Sequence, residues 1–409
     1  MQERLFQQFG RILKPVLPLK RCISIFFVRS SKKPTSERVL TTLAEVHHWL
    51  LDVPGTRRYA SEALHLAERI GRDDLTARAM TALALAESSD GQTQASLEYV
   101  RRAIARTGDA HLAELASGVM LSGMLQYWLG HFQDAIESSR RALDLAQRSY
   151  DTSSMVQALG NLGLALSGKG RYAEAFETFE EARRVAHERG TGQWLARALT
   201  MCGGVHLELF DFAGAEALAQ EAREVSRSVH WPHAETSAGI DLLLNFARRG
   251  EVGRAERLVD EVGQVVATAQ GAHGWLWRLR FATAKGELAL ARGAWDEAAR
   301  VAEEIIVQSR RVGRVKYQAR GLEIRALALA TLGRVHEAMA LLHNAVDLVR
   351  STEDPAMFLR AATALLSLSG DDALFVEARA RAQAIVQALR DEDLIRGFLT
   401  AEAVRPLMR

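Results

Sequence analysis

Residues 153–169 read SSMVQALGNLGLALSGK, with apolar side chains at helical spacing and no proline. After Gly170 and Arg171, Ala175, Phe179 and Ala182 recur at intervals of four and three, which lines one face of a second helix. The pattern predicts a helical hairpin whose turn is marked by Gly170, a residue that enters the left-handed conformation without steric cost. Alternation of apolar and polar positions with a period of two is not sustained anywhere, so no sheet is expected.

The hairpin recurs. Gly170, Tyr172 and Ala175 stand at relative positions 0, 2 and 5, and forty residues earlier Gly130, Phe132 and Ala135 repeat the arrangement. Downstream the same beat runs through Phe210, Phe212 and Ala215, then Gly250, Val252 and Ala255, Gly293, Trp295 and Ala298, Gly333, Val335 and Ala338, and Ala373, Phe375 and Ala378. The interval is 40 residues except for one of 43, between Gly250 and Gly293. A fixed period of this size implies stacked supersecondary units. Small residues seven positions before the turn, such as Gly163, predict close helix crossings there, and the alanines predict the same on the second helix.

These residues resemble the tetratricopeptide repeat, which has a small residue, a turn glycine, an aromatic two positions on, and alanines on the second helix. The resemblance covers roughly residues 76–390, with a poorer unit at about 37–72. Leu243, Val252, Val335, Val262 and Ile305 depart from the pattern. It implies an all-α, right-handed superhelical solenoid of about eight to nine hairpins over residues 37–395, elongated and held by packing between neighbouring units. Residues 396–409 are expected to form a terminal cap. The long final units, ending in DPAMFLRAATALLSLSGDDALFVEARARAQAI, also resemble the C-terminal solenoids of bacterial multidomain ATPase, adenylate-cyclase or transcriptional-regulator signalling proteins. That second resemblance covers repeats alone, since no Walker motif or cyclase-like segment is present.

Composition changes this picture little. The chain has 409 residues and balances 52 Lys and Arg against 50 Asp and Glu, which gives no global nucleic-acid signature. The charge is uneven: residues 1–34 hold eight Lys and Arg against Glu3 alone. This basic segment, 1–36 with Pro15, Pro18 and Pro34, does not join the repeat. It reads as disordered, as the remnant of an upstream domain, or as a membrane- or nucleic-acid-contacting arm. CISIFFV at 22–28 follows basic residues as a signal peptide would, but it is short and RSSKK replaces a cleavage site. Two cysteines, Cys22 and Cys202, form neither a disulfide framework nor a zinc set, which suits a reducing, cytoplasmic compartment.

Candidate chemistry is sparse. The GKG at 168–170 lacks the spacing of a phosphate-binding loop, and its equivalents in other repeats are GHF, GEV and GAW. His230 and His233 lack an evident third metal ligand, so a structured loop with Trp231 packed on the next hairpin is expected. Trp275 and Trp277 are expected to begin a first helix and fill its junction. No enzyme signature, cofactor motif or metal set is found, so a scaffold that binds a protein or peptide is predicted. In the tetratricopeptide family the first helix of each hairpin lines a concave groove. The resemblance places Arg197, Ser237, Arg280, Arg320 and Arg360 on that lining, with Tyr127 and Trp128 beside Met120 and Met124 in the N-terminal half. The arginines either grip an acidic partner or pair internally, Arg320 with Glu323 and Arg280 with Glu287.

Overall fold

A computed structural model describes residues 36–108 and 111–408. The basic segment expected at 1–36 therefore lies almost wholly outside the described residues. Those described form twenty helices and no strand.

Contacts divide the chain into two units, residues 1–122 with 269–275 and residues 123–268 with 276–409. The first unit contains α1 (Ser36–Trp49), α2 (Val53–Arg69), α3 (Asp73–Ser89), α4 (Thr93–Arg106) and the start of α5 (Leu112–Leu129). Its core is built from Val39, Leu40 and Leu43 of α1, Tyr59, Ala60 and Ala63 of α2, and Ala79 and Leu83 of α3. The start of α13 (Gly271–Ala291) belongs here as well: the buried indole of Trp275 donates from Nε1 to the Ser88 carbonyl at 2.8 Å. This segment lies where the repeat lengthens from 40 to 43 residues.

The second unit continues with α6 (Phe132–Arg148), α7 (Thr152–Gly168), α8 (Tyr172–Glu188), α9 (Gly192–Glu208), α10 (Phe212–Ser228), α11 (Pro232–Arg248) and α12 (Val252–Thr268). After α13 come α14 (Trp295–Val312), α15 (Val315–Thr331), α16 (Val335–Arg350), α17 (Pro355–Leu366), α18 (Asp372–Ala388), α19 (Glu392–Thr400) and α20 (Arg405–Met408). Odd-numbered helices up to α17 are the first members of hairpins and even-numbered ones the second.

The signature residues occupy the crossings. Ala135, Ala175, Ala255, Ala298, Ala338 and Ala378 are fully buried and Ala215 nearly so. A Cβ on Gly163 would stand 2.7 Å from the ring of Phe179, so the absent side chain is what lets α7 and α8 close. Phe132 and Tyr172 are buried, whereas Phe212, Trp295 and Phe375 are half-buried.

Turn geometry repeats twice as often as the sequence pattern. Gly130, Tyr150, Gly170, Gly190, Phe210, His230 and Gly250 all have positive φ, at intervals of 20 residues. Both turns of each hairpin therefore end a helix in the same way. At the first, Gly170 donates to the Ser167 carbonyl and Arg171 to the Leu166 carbonyl, each at 2.9 Å. Phe210 takes the glycine's place at φ 62°, and its ring stacks at 6.3 Å on Phe398. Packing thereby offsets a backbone conformation that disfavours side chains.

Packing between neighbours is only part of what holds the second unit. Phe132, Ile136, Tyr172 and Phe179 share one core cluster with Leu329, Leu342, Phe358, Leu365 and Phe398. Lys169 pairs with Glu353 and Glu177 with Arg390, joining helices about two hundred residues apart. The expectation of neighbour-only contacts fails here because the early and late hairpins present apolar and complementary charged side chains to each other.

Tyr150 has φ 55° and an 80% exposed side chain, so nothing offsets its strain. Tyr150→Gly is expected to stabilise the protein by about 0.5–1 kcal/mol in urea unfolding.

Candidate functional site

The first helices of the second unit carry a run of alternating charges. Arg248 on α11 bonds Glu287 on α13 at 3.3 Å, and Glu287 accepts from Arg360 on α17 at 3.0 Å. Arg360 also lies 3.5 Å from Glu323 on α15, which accepts from Arg320 at 2.9 Å. Arg320 reaches Glu208 at the end of α9, and Lys316 approaches the same carboxylate at 3.1 Å. Beside this run, Arg280 donates to Asp241 at 2.6 Å and to the Ser237 carbonyl at 3.2 Å.

Helical spacing explains why these groups converge. Arg320 and Glu323 share one face of α15, one turn apart. Ser237, Asp241 and Arg248 share one face of α11. Arg320 is only 2% exposed. A cation so placed persists only when carboxylates surround it.

The electrostatics follow from burial and neighbours. Burial pushes the Glu208 carboxyl up, but the Arg320 and Lys316 cations outweigh it and hold the group well below the usual range. Burial raises Glu323 to about 6 against the pull of Arg320, with Glu287 adding to the rise. Asp354, which caps α17 by accepting from the Met357 amide, is likewise pushed by burial up to about 6.

The predicted groove arginines are thus accounted for individually. Arg280, Arg320 and Arg360 are all paired internally. The Arg320–Glu323 pair is present. The expected Arg280–Glu287 pair is not: Arg280 takes Asp241, the closer acid on the adjacent first helix, and Glu287 serves Arg248 and Arg360. Arg197 on α9 belongs to no ion pair among the described residues. Burial alone lowers its guanidinium to about 10, and its Nε lacks a hydrogen-bond partner. Tyr127 is half-buried with its ring 5.8 Å from Phe132, while Trp128 is buried. Arg314 lies 5.9 Å from the Tyr127 centroid and 5.6 Å from that of Trp128, so these rings form a cation–π cluster.

The remaining candidates are structural in their contacts. Trp231 stacks on His233 at 4.6 Å and lies 6.5 Å from Trp194. Trp277 is buried and donates to the Ser237 hydroxyl at 3.0 Å. Lys169 faces Glu353. Cys202 is buried, and burial pushes its thiol up to about 12, far from the thiolate a nucleophile requires. Among the described residues no three His, Cys, Asp or Glu side chains are grouped to hold a metal, and no helix is long and apolar enough to cross a membrane.

Sequence reasoning missed one recurring device. His47 Nδ1 lies 2.6 Å from Asp52, whose other oxygen accepts from the Gly55 amide. His206, Asp211 and Gly214 repeat it at 2.7 Å. The shared spacing H-x₄-D-x₂-G was visible, but the only sign of its meaning was that an aspartate can cap the helix that follows.

Two outcomes follow from the charge run. Glu208→Gln leaves Lys316 without its carboxylate and the buried Arg320 with Glu323 alone, and is expected to cost about 3–5 kcal/mol in urea unfolding. Asp354 has a folded pKa above its ordinary value of 3.8, so its stabilising contribution is full below that value and is lost as pH rises through about 6. Asp354→Asn keeps the cap acceptor and removes the titration. Relative to that variant, the unsubstituted protein is expected to lose about 1–3 kcal/mol between roughly pH 4 and pH 7, measured by urea unfolding at each pH.

Comparison with known proteins places the geometry. The tetratricopeptide repeat model matches residues 115–188 and 154–228, and the model of anaphase-promoting complex subunit 5 matches 288–372. No curated protein matches the chain significantly. A Rap protein solved with competence and sporulation factor aligns at TM-score 0.62 and 12% identity, over 86% of this chain and 99% of that one. Aspartyl phosphate phosphatase F from Bacillus subtilis aligns at 0.53 and 13%, over 86% and 94%. Apo RapI aligns at 0.52 and 11%, over 68% and 99%. These likenesses are of fold. With the hairpin signature, its turns and the repeat model matched over 115–228, they show a tetratricopeptide-type helical repeat fold.

Proposed function

We propose that this protein is a non-catalytic binding scaffold in an intracellular bacterial regulatory system, and that the first-helix face of its second unit holds a protein or peptide segment. The observation that carries the reading is the stripe of Arg197, Met201, Gly204 and Glu208 along α9. These residues recur at helical spacing and stay partly accessible, while Ala198, Leu199 and Cys202 on other faces of the helix are buried. A Cβ added at Gly204 would meet nothing within 4 Å. At the equivalent position of the other repeats stand Leu164, Leu244, Glu287 and Leu327, so α9 alone of these helices has a gap there. The Rap protein solved with competence and sporulation factor supports ligand binding by a chain of this fold.

Gly204→Trp fills the gap and improves helix propensity, so it tests the surface without threatening the fold. Random hexapeptides selected on the full chain are expected to lose at least about tenfold affinity for this variant, with its thermal midpoint unchanged (a loss of about 1.4 kcal/mol of binding). Selected peptides that bind the variant equally well would remove this face as the site.

A further inference from the structure

A groove of about 800 Å³ runs along α14, bordered by α13 and α15. It lies on the reverse of the charge run. On α13, Arg278, Ala282 and Lys285 line it at helical spacing, about half a turn of the helix away from Arg280 and Glu287. On α15, Arg325 and Leu329 line it, while Arg320 and Glu323 lie on the far side of that helix. The groove is therefore separate from the first-helix face, and none of its residues belongs to the α9 stripe.

Its floor is apolar: Leu279, Val301, Ile305 and Leu329 are core side chains whose edges reach it. Around the floor stand five cations, Arg278, Lys285, Arg300, Arg325 and Arg334, against two carboxylates, Glu303 and Glu304. Both carboxylates are engaged already, Glu303 by Arg325 and Glu304 by Arg300 at 3.8 Å. Arg334 turns to Glu337, outside the lining, at 2.6 Å. Lys285 belongs to no ion pair among the described residues, and its ammonium lies 5.7 Å from the Phe281 ring centroid. Burial and the neighbouring Arg311 cation both disfavour charge on Arg278. The lining is thus cationic over an apolar base, a combination that attracts and orients a partner of opposite charge.

Openness selects the class of partner. A small molecule is enclosed by its pocket on most sides. Here the α14 wall is open: Arg300 and Glu304 are exposed, and so is Val307, at 57%. An apolar side chain left in water beside an apolar floor suits contact with a broad surface. From Ala299 to Gln308 the wall is about 14 Å long, or two and a half helical turns. Over that length a helix presents apolar residues at i, i+4 and i+7 to a groove, with its flanks free to carry charge.

We infer that the groove along α14 docks an amphipathic, acidic helix of a partner protein, its apolar stripe on the floor and its acidic flanks toward the cations of the rim. This surface is independent of the peptide face on α9.

The test pans the full chain against a library of helix-forming peptides of about five turns, with leucine fixed at i, i+4, i+7 and i+11 and the flanking positions randomised. Enrichment of Asp and Glu in the flanks is expected. For the best enriched helix, Val307→Glu is expected to lower affinity at least about tenfold and Lys285→Gln several-fold, with an association rate that falls as salt is raised. Val307 is exposed, so the thermal midpoint of Val307→Glu is expected to stay level. Gly204→Trp is expected to bind the helix as the unsubstituted protein does. Helices enriched without acidic flanks, helices bound equally by Val307→Glu, or a library that yields no binder would each overturn the docking groove. A helix lost by Gly204→Trp and kept by Val307→Glu would place it on the α9 face instead. If phosphatidylglycerol vesicles bind the unsubstituted protein but not Val307→Glu, and no helix is enriched, the groove belongs to an anionic lipid surface and the partner helix is excluded.

Discussion

The second unit is organised around the cost of placing a cation where water is scarce. Arg320 is almost wholly enclosed, and a guanidinium there is tolerable only with carboxylates in contact on two sides. Glu208 comes from α9, more than a hundred residues earlier, and Glu323 from the turn beside it. Meeting that requirement brings α9 and α15 together. From there the charges alternate through Glu287, Arg360 and Arg248 until five first helices are joined. A buried network of this kind adds little net stability over apolar packing, but it sharply penalises any arrangement that leaves one member alone. It fixes which helices face each other.

Much of the architecture was legible because a hairpin repeat is a local code. Glycine, aromatic and alanine at fixed offsets located the turns and crossings at Gly170, Tyr172 and Ala175 without tertiary information. The doubled period was hidden because Tyr150, Phe210 and His230 adopt the glycine conformation without being glycine, and only a dihedral angle shows it. Curvature was hidden for a different reason. A period says that units stack, whereas the meeting of Phe210 with Phe398 depends on small rotations summed over many hairpins.

The site was legible only in part. Counting along the repeat put Arg197, Arg280, Arg320 and Arg360 on one lining, and of the four Arg320 is buried while the others are partly exposed. Their individual circumstances were not readable. Whether an arginine meets a carboxylate depends on which residue a neighbouring first helix sets opposite it, as α11 sets Asp241 against Arg280. That relation links positions some forty residues apart, and only the interval of the repeat makes it traceable once the geometry is known.

The turns have a consequence for how such a chain can change. From α5 to α12 the connections are two or three residues long, and nearly all of each is committed to ending one helix and starting the next. Most proteins vary their recognition by lengthening surface loops over a fixed scaffold. This chain has almost no loop to lengthen there, and an inserted residue would rotate every side chain beyond it out of register. Diversification is therefore confined to exchanging side chains on fixed helix faces. Change there proceeds by point substitution, one helix-face residue at a time.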